Sequence, residues 1–213
     1  MSELDIDRRR GIRNTLLWLM AAICVILGLF FHNFFNPGLP GDDQLRELGF
    51  FHYPEYRPLS AFVLRDNEGV TVDETIFEGR WTLVFFGFTY CPDICPTTMG
   101  VLARATSKMS DPPAVILVSV DPERDTVSSM DAYVRSFSPT FRGLTGEFDQ
   151  IVLLASQLNV AFGKVPGPDP DGYLVDHSAS IAVINPKGKY VGFIKAPHGE
   201  LNIATLMGHL MRS

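Results

Sequence analysis

Cysteine is scarce in this chain, with three in 213 residues. So few cannot staple a disulfide-framework scaffold, and no Cys/His run has the spacing of a zinc finger. Positive charge is also short: 18 Lys and Arg against 24 Asp and Glu leave a net charge of −6. A nucleic-acid partner would demand a basic face, so that class is excluded. No glycine loop of the kind that cradles phosphates occurs, and there is no internal repeat or low-complexity tract. The most informative absence is local: between Arg13 and Asp42 there is no Asp, Glu, Lys or Arg at all.

That gap is filled by an apolar run. Residues 15–35 number 21, roughly 32 Å as a helix at ~1.5 Å per residue, enough to span a bilayer. Arg8, Arg9, Arg10 and Arg13 precede it against Glu3, Asp5 and Asp7, and the rest of the chain keeps 14 basic and 21 acidic residues. Flanking arginines stay cytoplasmic, which sends everything after residue 36 to the far side. A cleaved signal would want small residues where LFFHNFFNP stands, and a lipoprotein signal would want one before Cys24, where Ile23 sits. The expected organisation is a cytoplasmic tail (1–13), a transmembrane anchor (14–35), a Pro/Gly-rich linker (36–58) and an acidic exported domain (59–213). With acidic residues in 1–13 and no Arg/Ser-rich transit pattern, the expected setting is a bacterial inner membrane with the domain in the periplasm. The mitochondrial inner membrane is the alternative.

Beyond the linker, strand and helix patterns alternate. Ala61–Arg65 and Val70–Thr71 flank a turn at Asp66–Gly69, and Ser180–Ile184 and Tyr190–Ile194 flank Asn185–Gly188, giving two hairpins. Trp81–Phe88 and Ala114–Val120 are almost wholly apolar, as strands covered on both faces would be. Helices are expected over 97–109, 127–137, 147–162 and 200–211, with Asp125 and Thr126 able to cap the second. The order implies an α/β fold, a mixed sheet flanked by helices, compatible with a thioredoxin-like core.

The chemically loaded stretch is TYCPDICP, residues 89–96, between an apolar strand and a helix, where ligands sit in open α/β folds. Pro92 and Pro96 hold Cys91 and Cys95 extended and favour a helix start at Pro96. Both sulfurs then lie near the positive end of a helix, which favours thiolate. Two such thiolates can close a disulfide, exchange disulfides or grip a soft metal. Buried structural cysteines are the plain alternative, and that reading suits Cys24. Zinc would want four protein ligands, whereas copper(I) is content with two thiolates and an imidazole. Of five histidines, His32 and His52 read as interfacial or solvated, and His209 as structural. His198 reads as a turn or cap residue. His177 stands beside Asp176 just before a strand, so Asp176 could orient it.

Three separated motifs, GFTYCPDICP, VSVDPERDT and YLVDHSASIAVINPKG, together resemble the SCO/SenC family over about residues 59–198. The family comprises membrane-anchored proteins of thioredoxin-like fold that assist copper delivery to cytochrome c oxidase. The resemblance implies that Cys91, Cys95 and His177 bind one copper ion, as Cu(I), Cu(II) or both, and that Cys91 and Cys95 can form a redox-active disulfide. It also implies a supporting or partner-contact role for Asp121 and Asp125, whose plain alternative is a turn followed by a helix cap. Where thioredoxins carry a proline facing a CxxC pair, this chain has Asp176-His177-Ser178 and a CxxxC.

The function so implied is metallochaperoning, binding and transfer rather than turnover, with the Cu-A centre of oxidase subunit II as acceptor. Copper binding needs reduced thiols in an oxidising compartment, so a thioredoxin-like reductant is an expected second partner. The rival expectation is a membrane-tethered thiol–disulfide oxidoreductase that keeps acceptor cysteines reduced.

Overall fold

The computed structural model describes residues 3–35, 41–167 and 172–212, in two compact units. The first is a helix, α1 (Glu3–Phe35). From Leu16 to Phe31 it is apolar on every side, the span Gly11–Phe31 is long enough to cross a membrane, and its side chains are exposed. A helix apolar all round needs an apolar surrounding.

The second unit begins earlier than the sequence suggested. Residues 36–40 of the expected linker lie outside the described residues, but 42–58 are not linker. They form α2 (Asp42–Glu47) and β1 (Phe50–Pro58), with Leu45 and Phe50 buried. Proline and glycine masked this strand because it lies at a sheet edge, where proline is tolerated. Pro54 falls where the pairing of β1 shifts register between His52 and Arg57.

β2 (Leu64–Asp66) and β3 (Thr71–Val72) are the first expected hairpin, shortened. β4 (Thr82–Gly87) is buried at every residue, as its unbroken apolar run requires. Then follow α3 (Ile94–Thr106), β5 (Ala114–Ser119), α4 (Val127–Phe137), β6 (Arg142–Thr145) and α5 (Phe148–Gln157). β7 (Phe162–Pro166) and β8 (Tyr173–His177) precede β9 (Ile181–Ile184), β10 (Lys189–Ile194) and α6 (Glu200–Leu210). β9 and β10 are the second expected hairpin. β6, β7 and β8 were not expected, and Phe162 opens a strand instead of closing a helix.

The main sheet runs β1-β10-β9-β4-β5-β6-β2-β3 and is mixed: β4, β5 and β6 are parallel and the remaining pairs antiparallel. Register explains what meets at its edge. Gly87 pairs with Ser119, so the segments leaving β4 and β5, with Cys91 and Asp121, emerge side by side. Phe85 pairs with Ile181, so the residues entering β9, with His177 just upstream, arrive at the same edge.

Helix α3 starts at Ile94, two residues before Pro96. Proline fits the third helical position as well as the first, because first-turn N–H groups lack intrahelical acceptors. The bias of Pro96 against a helical Cys95 is overcome. Cys95 N donates to Cys91 Sγ at 3.4 Å, so a sulfur occupies the place of a helix cap.

Candidate metal site

Cys91 ends the turn after β4, where its N–H donates to Phe88 O at 3.2 Å. It is 9% exposed, whereas Cys95, inside the first turn of α3, is fully buried. His177 closes β8, and its Nε2 lies 3.3 Å from Cys95 Sγ. The donor atoms of Cys91, Cys95 and His177 all lie within 4.8 Å of one another. Among the described residues no other such cluster of His, Cys, Asp and Glu forms.

Each donor is prepared electronically. His177 Nδ1 lies 3.2 Å from Ser178 O, a carbonyl that can only accept, so Nδ1 is committed to the backbone and Nε2 is the nitrogen turned toward the sulfurs. Edge-on rings of Phe85 and Phe88, with centroids 5.8 and 6.0 Å away, hold the imidazole plane. The Cys91 thiol is brought down to about 4, chiefly by a hydrogen bond from Cys95 and further by His177 and the backbone of Asp93 and Cys95. Cys95 moves the opposite way, because it donates to Cys91 and is buried. Together they make one ready thiolate, one guarded thiol and one imidazole, a soft set suited to a monovalent soft metal. An open cavity of about 420 Å³, lined by residues 161–165 and 176–178, reaches His177 from outside.

The remaining candidates separate. Asp176 is exposed, and the orienting bond to His177 comes from the Ser178 carbonyl instead. Asp125 is buried and accepts from Thr89 Oγ1 at 2.6 Å, from Thr89 N at 3.2 Å and from Ser119 Oγ at 2.6 Å. It thereby ties the segment before Cys91 to the end of β5. Burial raises its carboxyl above the ordinary value. It does not cap α4; Thr126 does, accepting from Ser129 N at 3.1 Å. Asp121, also buried, accepts from Tyr173 Oη at 2.9 Å and from Arg124. Neither carboxylate is open to a partner.

Sequence reasoning missed four contributors: Phe85, Phe88, Gly87 and His198. A Cβ on Gly87 would meet Cys95 Sγ at 2.9 Å, so the absent side chain makes room for the sulfur. A glycine in an otherwise apolar strand, just before a cysteine pair, was the available signal. His198 lies with Nε2 2.6 Å from Ala179 O, steadying the segment after His177. The side chain of His32 lies outside the described residues. His52 meets Tyr56 Oη at 3.1 Å, at the exposed edge.

Comparison with known proteins agrees with this geometry. A family model described as SCO1/SenC matches residues 54–212. The chain is 36% identical over 137 residues to the Bos taurus protein named Protein SCO2 homolog, mitochondrial, covering 62% of this chain and 52% of that one. It is 40% identical over 141 residues to the Arabidopsis thaliana Protein SCO1 homolog 1, mitochondrial, covering 64% and 42%. It thus spans about half the length of the curated relatives it matches. The crystal structure of Arabidopsis thaliana ScoI with copper bound is 34% identical, with a TM-score of 0.67 over 72% of this chain and 98% of that one. The fold is therefore the thioredoxin-like α/β arrangement.

Proposed function

The chain belongs to the SCO1/SenC family, and from that premise we propose that it is a membrane-anchored copper metallochaperone. It binds one copper ion through Cys91, Cys95 and His177 and delivers it to the Cu-A centre of cytochrome c oxidase subunit II during assembly. The observation that carries this reading is the convergence of two sulfurs and one imidazole nitrogen within 4.8 Å, in a chain whose structural relative holds copper.

The geometry suggests an order of release. His177 is the ligand reached by the open cavity, and neutral imidazole holds Cu(I) less firmly than thiolate. An incoming acceptor thiol displaces His177 first, then the slightly exposed Cys91, and last the buried Cys95. Loading requires both sulfurs reduced, so an oxidising compartment calls for a thioredoxin-like reductant. In this reading α1 anchors the chain in a bacterial inner membrane and the domain works in the periplasm, the mitochondrial inner membrane being the alternative.

One observation favours the rival function, a tethered thiol–disulfide oxidoreductase: a thiolate at Cys91 beside a buried Cys95 is the arrangement of an attacking and a resolving thiol. Copper titration of the reduced full chain in detergent, with His177→Ala alongside, separates the two. The chaperone requires one tightly held copper per chain, weakened in His177→Ala. No stoichiometric binding, with a readily exchanged Cys91–Cys95 disulfide, would establish the oxidoreductase instead.

A further inference from the structure

The strand that delivers His177 stands outside the main sheet. β7 and β8 form a two-stranded sheet of their own. No ladder hydrogen bond therefore fixes β8 relative to β4, after which both cysteines lie. At the end beside His177 the hairpin closes on its own base, through Ser178 N to Ala161 O at 2.9 Å, and meets the cysteine side through the His177 ring itself.

Beyond the contacts of His177 with Cys95, Phe85 and Phe88, the contacts between β8 and the cysteine side converge on Arg124. Its guanidinium carbon lies 3.9 Å from the centroid of the Tyr173 ring, the first residue of β8. Its Nη1 donates to Tyr173 O at 3.2 Å. The same guanidinium faces the rings of Tyr90 at 5.2 Å and Phe88 at 5.7 Å. Tyr90 is the residue before Cys91, and Phe88 accepts the Cys91 N–H. Nε pairs with the buried Asp121, which also accepts a hydrogen bond from Tyr173 Oη at 2.9 Å. Nη2 is buried with no hydrogen-bond partner among the described residues, so ring stacking substitutes for a full set of acceptors. A flat, delocalised cation can be sandwiched and still direct hydrogen bonds from its rim, which an ammonium cannot do.

We propose that Arg124 is a positioning residue for the metal site: a pin, wedged between Tyr173 and Tyr90, that fixes the β7–β8 hairpin against the cysteine turn and holds the His177 imidazole within bonding reach of the sulfurs. The inference rests on the three-ligand reading above. Residues that orient metal ligands without touching the metal are worth roughly 10- to 100-fold in affinity.

The test is Cu(I) affinity of the full chain against a competing chelator, with X-ray absorption to count sulfur and imidazole neighbours of the metal. The variants are Arg124→Ala, Arg124→Lys, Tyr173→Leu, the Arg124→Ala/Tyr173→Leu pair and His177→Ala. Arg124→Ala and Tyr173→Leu should each weaken binding roughly 10- to 100-fold and remove the imidazole while both sulfurs stay. The pair should lose no more than either alone, because both break one contact. Arg124→Lys should fail to rescue. Tyr173 is only partly buried, so its replacement decides the matter even if Arg124→Ala, which leaves Asp121 unpaired, does not fold. Retained imidazole coordination with near-native affinity in Tyr173→Leu, or rescue by lysine, overturns the pin. Unchanged binding in His177→Ala overturns the three-ligand reading itself, a result distinguishable from failure of the pin alone.

Discussion

At the scale of single residues, the site's chemistry lies in the contrast between two cysteines separated by three residues. Cys91 is held as a thiolate, brought down to about 4 by the hydrogen bond from Cys95 and the neighbouring imidazole and backbone groups. Cys95, donating that bond from a buried position, is pushed up. Copper requires both in thiolate form, so the proton count on binding depends on pH. At pH 7, well above the Cys91 value and below that of Cys95, loading with Cu(I) should release about one thiol proton; below pH 4, where Cys91 is also protonated, proton release should rise and affinity should fall. Calorimetry in two buffers of different ionisation enthalpy reads this number directly. Release of about two thiol protons at pH 7 would mean that Cys91 carries its proton in the free protein. The asymmetry was not legible in the motif, which presents both cysteines before a proline. It arises because Cys95 is fully buried and donates its hydrogen bond to Cys91, which outweighs the thiolate-favouring place of Cys95 in the first turn of α3.

At the scale of elements, legibility followed burial. β4 and β5 read as strands because nothing polar interrupts them, and the two hairpins read from their turns. β1, β6 and the β7–β8 pair did not, for separate reasons. β1 is an edge strand bent at Pro54, β6 has only four residues, and β7 ends on Pro166. The candidate ligands were legible through their motifs, but the hairpin that carries His177 was not, nor was the contact that sets Cys95 against β4. That contact gives a direct test of how strand and helix share the site. A Cβ at Gly87 would lie 2.9 Å from Cys95 Sγ and 3.2 Å from both Leu117 Cδ1 and Phe85 Cε1. All three neighbours are fully buried and have no room to retreat. Gly87→Ala should therefore cost about 1–3 kcal/mol of stability by overpacking. It should also weaken copper binding, because the sulfur is the nearest of the three and takes the sharpest clash. Urea unfolding and chelator competition, run on the same preparation, check both. An unchanged midpoint with unchanged affinity would show that α3 shifts freely against β4.

At the scale of the whole molecule, the charge distribution sets where the site can work. The domain is acidic, while the segment before α1 holds Arg8, Arg9, Arg10 and Arg13, and no charged residue lies between Arg13 and Asp42. Arginines beside a membrane span are retained on the cytoplasmic side, whereas acidic residues contribute little to orientation. In the proposed topology, with α1 as an uncleaved span, everything from Asp42 onward would face the opposite compartment, where thiols are oxidised and a copper acceptor domain would lie. Bacterial expression with alkaline phosphatase fused after Ser213 should therefore give an active reporter in the membrane fraction, resistant to extraction at high pH. Replacing all four arginines with glutamine should lower that activity by leaving the two orientations nearly equivalent. The same replacement should leave copper binding by correctly oriented chains untouched, since the proposed ligands all lie at or beyond Cys91. An inactive reporter on the unaltered chain would put the domain in the cytoplasm. The reducing cytosol would then keep Cys91 and Cys95 as thiols, and the proposed need for a dedicated reductant would disappear along with delivery across the membrane.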